Sequence, residues 1–278
     1  MSYKIIVDSC CELPEELKKD HRFERVPLGL EVGDYHILDD DDFNQKTFLA
    51  KVAACPTCPK SSCPSPERFM NAYMAEVDNI YVVTLSAKLS GSYNSAVLGA
   101  NLYHEQFGEK NIHVFDSESA SCGETQIALK VMELEEAGLS FEEVVEQGEK
   151  YRDEMHTYFV LDNLETLRKN GRLSNVKAMV ASTLSIKPIM ISDGGQIAQQ
   201  GQCIGMKKAL AKLAEYLVAE VPNLPTKRLM ITHCNAPERA KHMKELLEKK
   251  AAFKDVIILD TAGISSMYAN DGGIIVTC

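Results

Sequence analysis

No apolar run in this 278-residue chain is long enough to cross a bilayer as a helix. Nor does the chain open like an export signal. Met1-Ser2-Tyr3-Lys4 leads straight into strand-like Ile5-Ile6-Val7 and then Asp8, so a cytoplasmic protein without stable membrane insertion is expected. Positive charge is in deficit, with 30 Lys and Arg against 40 Asp and Glu and a net charge of -10. That balance opposes a long nucleic-acid track and strong adhesion to an anionic membrane. Signatures of nucleic-acid binding are missing too. So are the phosphate loop G-x-x-x-x-G-K-[ST], the dinucleotide fingerprint G-x-G-x-x-G, the nucleophile elbow G-x-S-x-G and the zinc-protease H-E-x-x-H. The acidic residues fall into no evident catalytic pair. These absences favour a binding protein over an enzyme and give no cofactor to expect.

Nine cysteines, an odd number, are scattered along the chain, which points to reduced thiols. Cys55 and Cys58 stand at a zinc-like spacing, with Cys63 close by. However, no second such pair and no histidine at finger distance follow. The prolines at 56, 59 and 64 make this a loop rather than the helix start that a redox motif needs. No metal site is expected. The acidic run Asp39-Asp40-Asp41-Asp42 reads as a solvated turn before a helix.

Against this background the stretch Ile80–Phe107 stands out. An apolar run, Ile80–Leu85, breaks into Ser86-Ala87-Lys88-Leu89-Ser90-Gly91-Ser92, and a helical pattern follows through Tyr93, Ala96, Val97 and Ala100. The reading is strand, tight polar loop, helix. Ser90 and Ser92 could simply cap the helix. Capping is the commoner use of such residues; the alternative is that free backbone N–H groups, the helix dipole and the two hydroxyls receive an anion, with Gly91 letting the ligand come close. A second polar segment, Lys60 to Pro66, presents Ser61 and Ser62 just before a helix that Ser65 and Pro66 begin.

Strands are expected at Tyr3–Val7, Arg25–Val32, Ile80–Leu85 and Ile112–Phe115. Helices over about 43–53, 67–77, 93–107, 123–137 and 141–155 alternate with them. Such alternation implies a parallel sheet covered on both faces, with ligands at the carboxyl ends of its strands. That puts the loops near Ser9, Ser61, Ser90 and Ser119 on one rim. From about residue 156 the pattern changes. A strand at Tyr158–Leu161, short helices at 164–169 and 176–182, and a hairpin turning at Asp193-Gly194-Gly195 come first. Helices at 206–219 and 237–250 and strands at 229–232, 256–259 and 273–277 follow. The expected fold is therefore α/β with two domains. Residues 1–155 form a three-layer α/β/α domain with a mostly parallel sheet, and residues 156–278 form an α/β domain with a mixed sheet. The cleft between them is the default ligand site. His233 closes a strand and reads as structural.

These ordered motifs resemble the DegV family. Val7-Asp8-Ser9 with Glu12-Leu13-Pro14 is similar to its VDS…DLP opening, and Lys60-Ser61-Ser62-Cys63-Pro64-Ser65 to its K-T-S-Q-P-S. LSAKLSGSYNSA, residues 85–96, resembles LSSxLSGTYxSA. The segments 164–174 and 187–189 resemble LxxLxxGGRIS and KPIL. The resemblance implies a buried long-chain fatty acid as ligand. Its carboxylate would be held by Ser61 and Ser90, with Ser62, Gly91 and Ser92 beside them, and the acyl chain would be presented to a separate fatty acid kinase. Two positions depart from the family pattern. Ile204 stands where an Arg is frequent and Met267 where a His is expected, so a poor carrier for such a kinase is anticipated. Arg172 and Met267 are the further candidates for head-group or partner contact. The competing reading is a hydrolase or transferase acting on an acyl or phosphate ester through the serine rim and His233. A metal or thiol protein using Cys55, Cys58 and Cys63 is the third.

Overall fold

The structure, a computed structural model, describes residues 2–174 and 185–278. The first half runs β1 (Tyr3–Asp8), α1 (Glu15–Lys18), β2 (Phe23–Val26), β3 (Gly29–Val32), β4 (Tyr35–Leu38), α2 (Gln45–Ala54), β5 (Lys60–Ser62), α3 (Pro66–Ala72), β6 (Asn79–Thr84), α4 (Ser92–Phe107), β7 (Asn111–Asp116), α5 (Cys122–Glu136) and α6 (Phe141–Asp153). The second runs β8 (Thr157–Val160), α7 (Glu165–Lys169), β9 (Ile186–Asp193), β10 (Gln196–Ile204), α8 (Met206–Glu220), β11 (Arg228–His233), α9 (Pro237–Glu248), β12 (Asp255–Asp260), α10 (Gly263–Ala269) and β13 (Ile274–Thr277).

Strands β2-β1-β6-β7 form a wholly parallel sheet. All six residues of β6 are buried, as a central strand covered on both faces requires. Successive side chains point to opposite faces. Ile6, Ile80 and Val82 therefore meet Phe69 and Tyr73 of the α3 region and Ala96 of α4. Ile5, Val7, Tyr81 and Val83 meet Ile127 and Val131 of α5 and Val144 of α6. A capping box of Ser140 and Glu143 starts α6.

The second sheet has the order β10-β9-β8-β13-β11-β12 and is antiparallel except for the pair β11–β12. Helices α8 and α9 cover one face through Leu210, Leu213, Leu217, Met243 and Leu247. Part of the other face receives α5, whose Cys122 and Leu129 pack with Met230, Ile257 and Ile275. Helix α5 thus lies between the two sheets, and eleven of its fifteen residues are buried. Among the described residues no helix is long and apolar enough to cross a membrane.

Several expectations need correction. The single strand at Arg25–Val32 is two strands in two sheets. β2 joins the parallel sheet, while β3 pairs antiparallel with β4 and β5 in a separate three-stranded sheet. The break falls at Pro27, which has no N–H for a ladder. The helix expected over 67–77 stops at Ala72. Asp39 is wholly buried, unlike the exposed Asp41 and Asp42. Helix α10 answers to no expected element. The helix expected over 176–182 lies outside the described residues.

Candidate functional site

The loops following β1, β6 and β7 emerge at the carboxyl edge of the parallel sheet, where such sheets place their ligands. Cys10, Leu85, Leu89, Ser119 and Ala120 come from these loops and line one side of a cleft. Phe159, Leu161, Ile191, Ile197 and Ile275 of the second half line the facing side. Helix α10 closes a third side with Ile264, Ser265, Tyr268 and Ala269. The space free of atoms is ≈ 830 Å³, open solvent at the mouth included.

Most lining hydroxyls are engaged by the protein. Ser121 Oγ donates to Glu12 Oε2 at 2.6 Å and lies 2.8 Å from Thr232 Oγ1. Ser119 Oγ and Thr157 Oγ1 are 2.7 Å apart, and Ser192 Oγ donates to the Glu118 carbonyl at 2.5 Å. One corner differs. Ser61 Oγ and Tyr268 Oη are 3.0 Å apart and share one hydrogen, which leaves a second O–H to give. Ser90 Oγ accepts from the Ser92 N–H at 3.2 Å, and its own O–H has no acceptor among the described residues. Arg172 donates from Nε to the Leu89 carbonyl at 3.1 Å and from Nη1 to the Asn170 carbonyl at 2.7 Å. Its Nη2 has no partner among the described residues. The guanidinium lies 5.6 Å from the centre of the Tyr268 ring. A permanent cation and unused donors therefore converge at one corner of an otherwise apolar cleft, an arrangement suited to an amphiphile with an anionic head.

The residues singled out from sequence divide into two groups. Ser61, Ser90 and Arg172 line the cleft together. Ser62 does not, because it follows Ser61 on β5 and its side chain takes the opposite face, exposed and beside Gly29. Gly91 precedes α4 outside the lining, in ordinary right-handed backbone. Ser92 is wholly buried and faces the Asp8 carboxyl without completing a hydrogen bond of ordinary geometry. Met267 is also displaced from its expected role. It packs in the core with Leu30 and Phe48, and the next residue, Tyr268, reaches the cleft. Ile204 lies at the end of β10, 69% exposed and outside the lining. His233 is buried, 3.2 Å from Asp260 Oδ1, and is likewise outside the lining, so it does not meet the serine rim. Cys58 Sγ accepts from Asn170 at 3.4 Å, while Cys55 lies beside Thr57 and Cys63 beside Ser95. Among the described residues no three His, Cys, Asp or Glu side chains converge as metal ligands.

Buried carboxyls hold the walls in place. Asp8 accepts from the backbone N–H of Cys10 and of Leu85, both at 3.0 Å, and so ties the start of the Ser90 loop to β1. Burial raises its pKa against those bonds. Glu124, wholly buried, faces Asp8. Burial first, then the Asp8 charge, push it well above the ordinary range, so it is the member of the pair that keeps its proton. Asp39 accepts from Gly263 N at 2.7 Å and Ile264 N at 2.8 Å, one oxygen to each of the first two N–H groups of α10. Burial lifts it to about 6 although both bonds pull it down. Glu12 accepts from Ala262 N at 3.2 Å and from Ser121, and burial lifts it to about 7. No sequence pattern singled out Tyr268, Asp39 or Glu12. The nearest signal was Glu12 within the VDS…DLP-like opening.

Comparison with known proteins adds four findings. A family model described as "Uncharacterised protein, DegV family" matches residues 2–277. A DegV domain-containing protein of Streptococcus pyogenes serotype M1 is 36% identical over 280 residues, covering 99% of this chain and 98% of its own. Among solved structures, a DegV family protein from Ruminococcus gnavus, in a refinement with vaccenic acid, matches with TM-score 0.98 at 57% identity over 100% of both chains. The Streptococcus pneumoniae fatty acid kinase (Fak) B3 protein, loaded with linoleic acid, matches with TM-score 0.89 at 32% identity over 100% of this chain and 99% of its own.

Proposed function

This chain belongs to the DegV family, and on that premise we propose that it binds a long-chain fatty acid in the cleft, tail among the apolar residues and carboxylate at the corner of Ser61, Ser90, Tyr268 and Arg172. The observation that carries the reading is the division of hydroxyls: those along the cleft are engaged by the protein, and those at this corner keep donors to give. Tyr268 supplies the donor that Met267 could not, and Arg172 supplies the charge that Ile204 could not. The expectation of a poor carrier rested on those two substitutions and loses its ground at the head group. Likeness to the Fak B3 protein supports a separate kinase as partner, and a cytoplasmic setting is part of the same proposal. The reading also divides the chain into domains at 155/156, between the last helix on the parallel sheet and the first strand of the mixed one.

Burial of each CH₂ contributes about 0.8 kcal/mol, so the purified protein is expected to carry about one equivalent of fatty acid. A hydrogen bond to a charged group contributes about 1.5–3 kcal/mol, so Ser90→Ala should weaken binding about tenfold or more. Titration of both proteins with a fluorescent fatty acid measures this. Equal affinity of wild type and the Ser61→Ala/Ser90→Ala double variant would refute the head-group assignment.

A further inference from the structure

Thr157, Phe159 and Leu161 occupy alternate positions along β8 and the residue after it, and all three line the cleft. Leu161 belongs to the cluster that holds Leu89, Leu167 and Tyr268, beside the Arg172 corner. At about 3.3 Å per residue, Thr157 stands about 13 Å further along the strand, away from that corner. There the hydroxyls of Thr157 and Ser119 meet at 2.7 Å. Ser119 has no room to retreat, because it lies so close to Gly123 of α5 that a Cβ on that glycine would collide with it. Ser192, bonded to the Glu118 carbonyl, continues the same barrier. Beyond it is a second hollow of opposite character, lined by Glu118, Arg152, Asp153, His156 and Glu220. Thr157, Ile191 and Ser192 line both spaces, so one layer of side chains separates them.

We infer that the Ser119–Thr157 pair, with Ile191, is the end stop for the ligand's tail and sets the length of acyl chain that the protein accepts. The inference rests on the fatty-acid reading and on a carboxylate at the Ser90 corner. A tail that fits ends in apolar surroundings against Phe159, Ile191 and Ile275. A longer tail must displace a satisfied hydroxyl pair and enter a hollow lined by charge, where each methylene loses its burial and leaves polar groups without partners.

The test offers the protein an equimolar series of straight-chain saturated fatty acids from lauric to behenic and reads the bound fraction of each by mass spectrometry after denaturation. Wild type is expected to show an optimum with a sharp fall on the long side. Ser119→Ala/Thr157→Ala, and separately Ile191→Ala, thin the partition. Each should move the optimum to a longer acid and raise the ratio of the next longer even-numbered acid to the wild-type optimum about tenfold, the value of two further buried methylenes. Ser90→Ala should lower capture of every acid and leave the shape of the profile alone. Fatty acids bound with the wild-type profile in both thinned proteins would overturn this inference and leave the proposed function standing. Failure of wild type to capture an acid of any length would overturn both. Because Ile191→Ala leaves the hydroxyl pair intact, poor folding of the double variant does not remove the test.

Discussion

Replacing Asp39 by alanine should destabilise the protein by about 3 kcal/mol or more and weaken fatty-acid binding with it. The carboxylate satisfies the first two N–H groups of α10, a helix of seven residues that no side chain of its own caps. Leaving a buried donor unsatisfied costs about 1–3 kcal/mol, and two are exposed here, together with the void of the lost side chain. The favourable contact between a carboxylate and the helix dipole disappears as well. Because α10 carries Ile264, Ser265, Tyr268 and Ala269 into the cleft, a loosened N-terminus moves a wall and one of the head-group donors together. Asp39→Asn keeps one acceptor and should lose less. Denaturant unfolding and fatty-acid titration of the two variants measure both effects. An alanine variant within about 0.5 kcal/mol of wild type, the usual range of surface substitutions, would show that α10 is held by its apolar contacts alone.

The second large effect concerns pH. Glu12 titrates at about 7 in the folded protein against 4.5 for the ordinary group, and Asp39 at about 6 against 3.8, burial being the first cause of both shifts. A carboxyl with a raised folded pKa holds its proton more tightly in the folded state. Its contribution is fully present below the unfolded pKa and is lost as pH rises through the folded one. Stability should therefore fall between about pH 5 and about pH 8, with Glu12 alone accounting for about 2–3 kcal/mol by linkage. Asp8 and Glu124 are shifted the same way. His156 opposes the trend at the acid end, since burial lowers its pKa and its neutral form must be protonated on unfolding. Below about pH 4 the paired carboxylates Asp162, Asp260 and Glu133, whose pKa values are lowered, give up their partners, so the optimum lies on the mildly acidic side of neutrality. Glu12→Gln keeps an acceptor for Ser121 or Ala262 and cannot ionise. It should be more stable than wild type near pH 8 and should flatten the profile. A wild-type melting temperature that is level or rising from about pH 5 to about pH 8 would contradict the assignment.

The part of the fold legible in the sequence is the part that short-range pattern encodes. The strands β1, β6 and β7 are apolar runs ended by Asp or Thr and small residues, and the hairpin is marked by Asp193-Gly194-Gly195. Each element carries its own signal, and the order of elements restricts the topology. Ser61 and Ser90 were legible because a resemblance marked them. Residues fixed by distant partners were not. Helix α10 begins at a glycine, lacks a cap of its own, and is capped by Asp39 from 224 positions away. For the same reason Asp39 looked like one more solvated charge in a run of four. Met267 and Tyr268 are adjacent, and only the rotation of about 100° between neighbours on a helix decides which of them faces the cleft. The division between β2 and β3 left no mark beyond Pro27, since both halves are equally strand-like.

Helix α5 has a thermodynamic consequence. Leu129 and Cys122 serve the mixed sheet, while Ile127 and Val131, each two residues from Leu129 and so on the opposite side of the helix, serve the parallel one. Gln126 donates to the carbonyls of Arg228 and Thr277, and Thr125 to that of Glu12, so its polar groups are divided in the same manner. A chain cut between the two halves would keep α5 with the first and turn a strip of its apolar surface toward water, while the second would lose the cover over β11, β12 and β13. The two halves, separable on a map of strands, are then a single cooperative unit in melting, and a ligand that stiffens either one stabilises both.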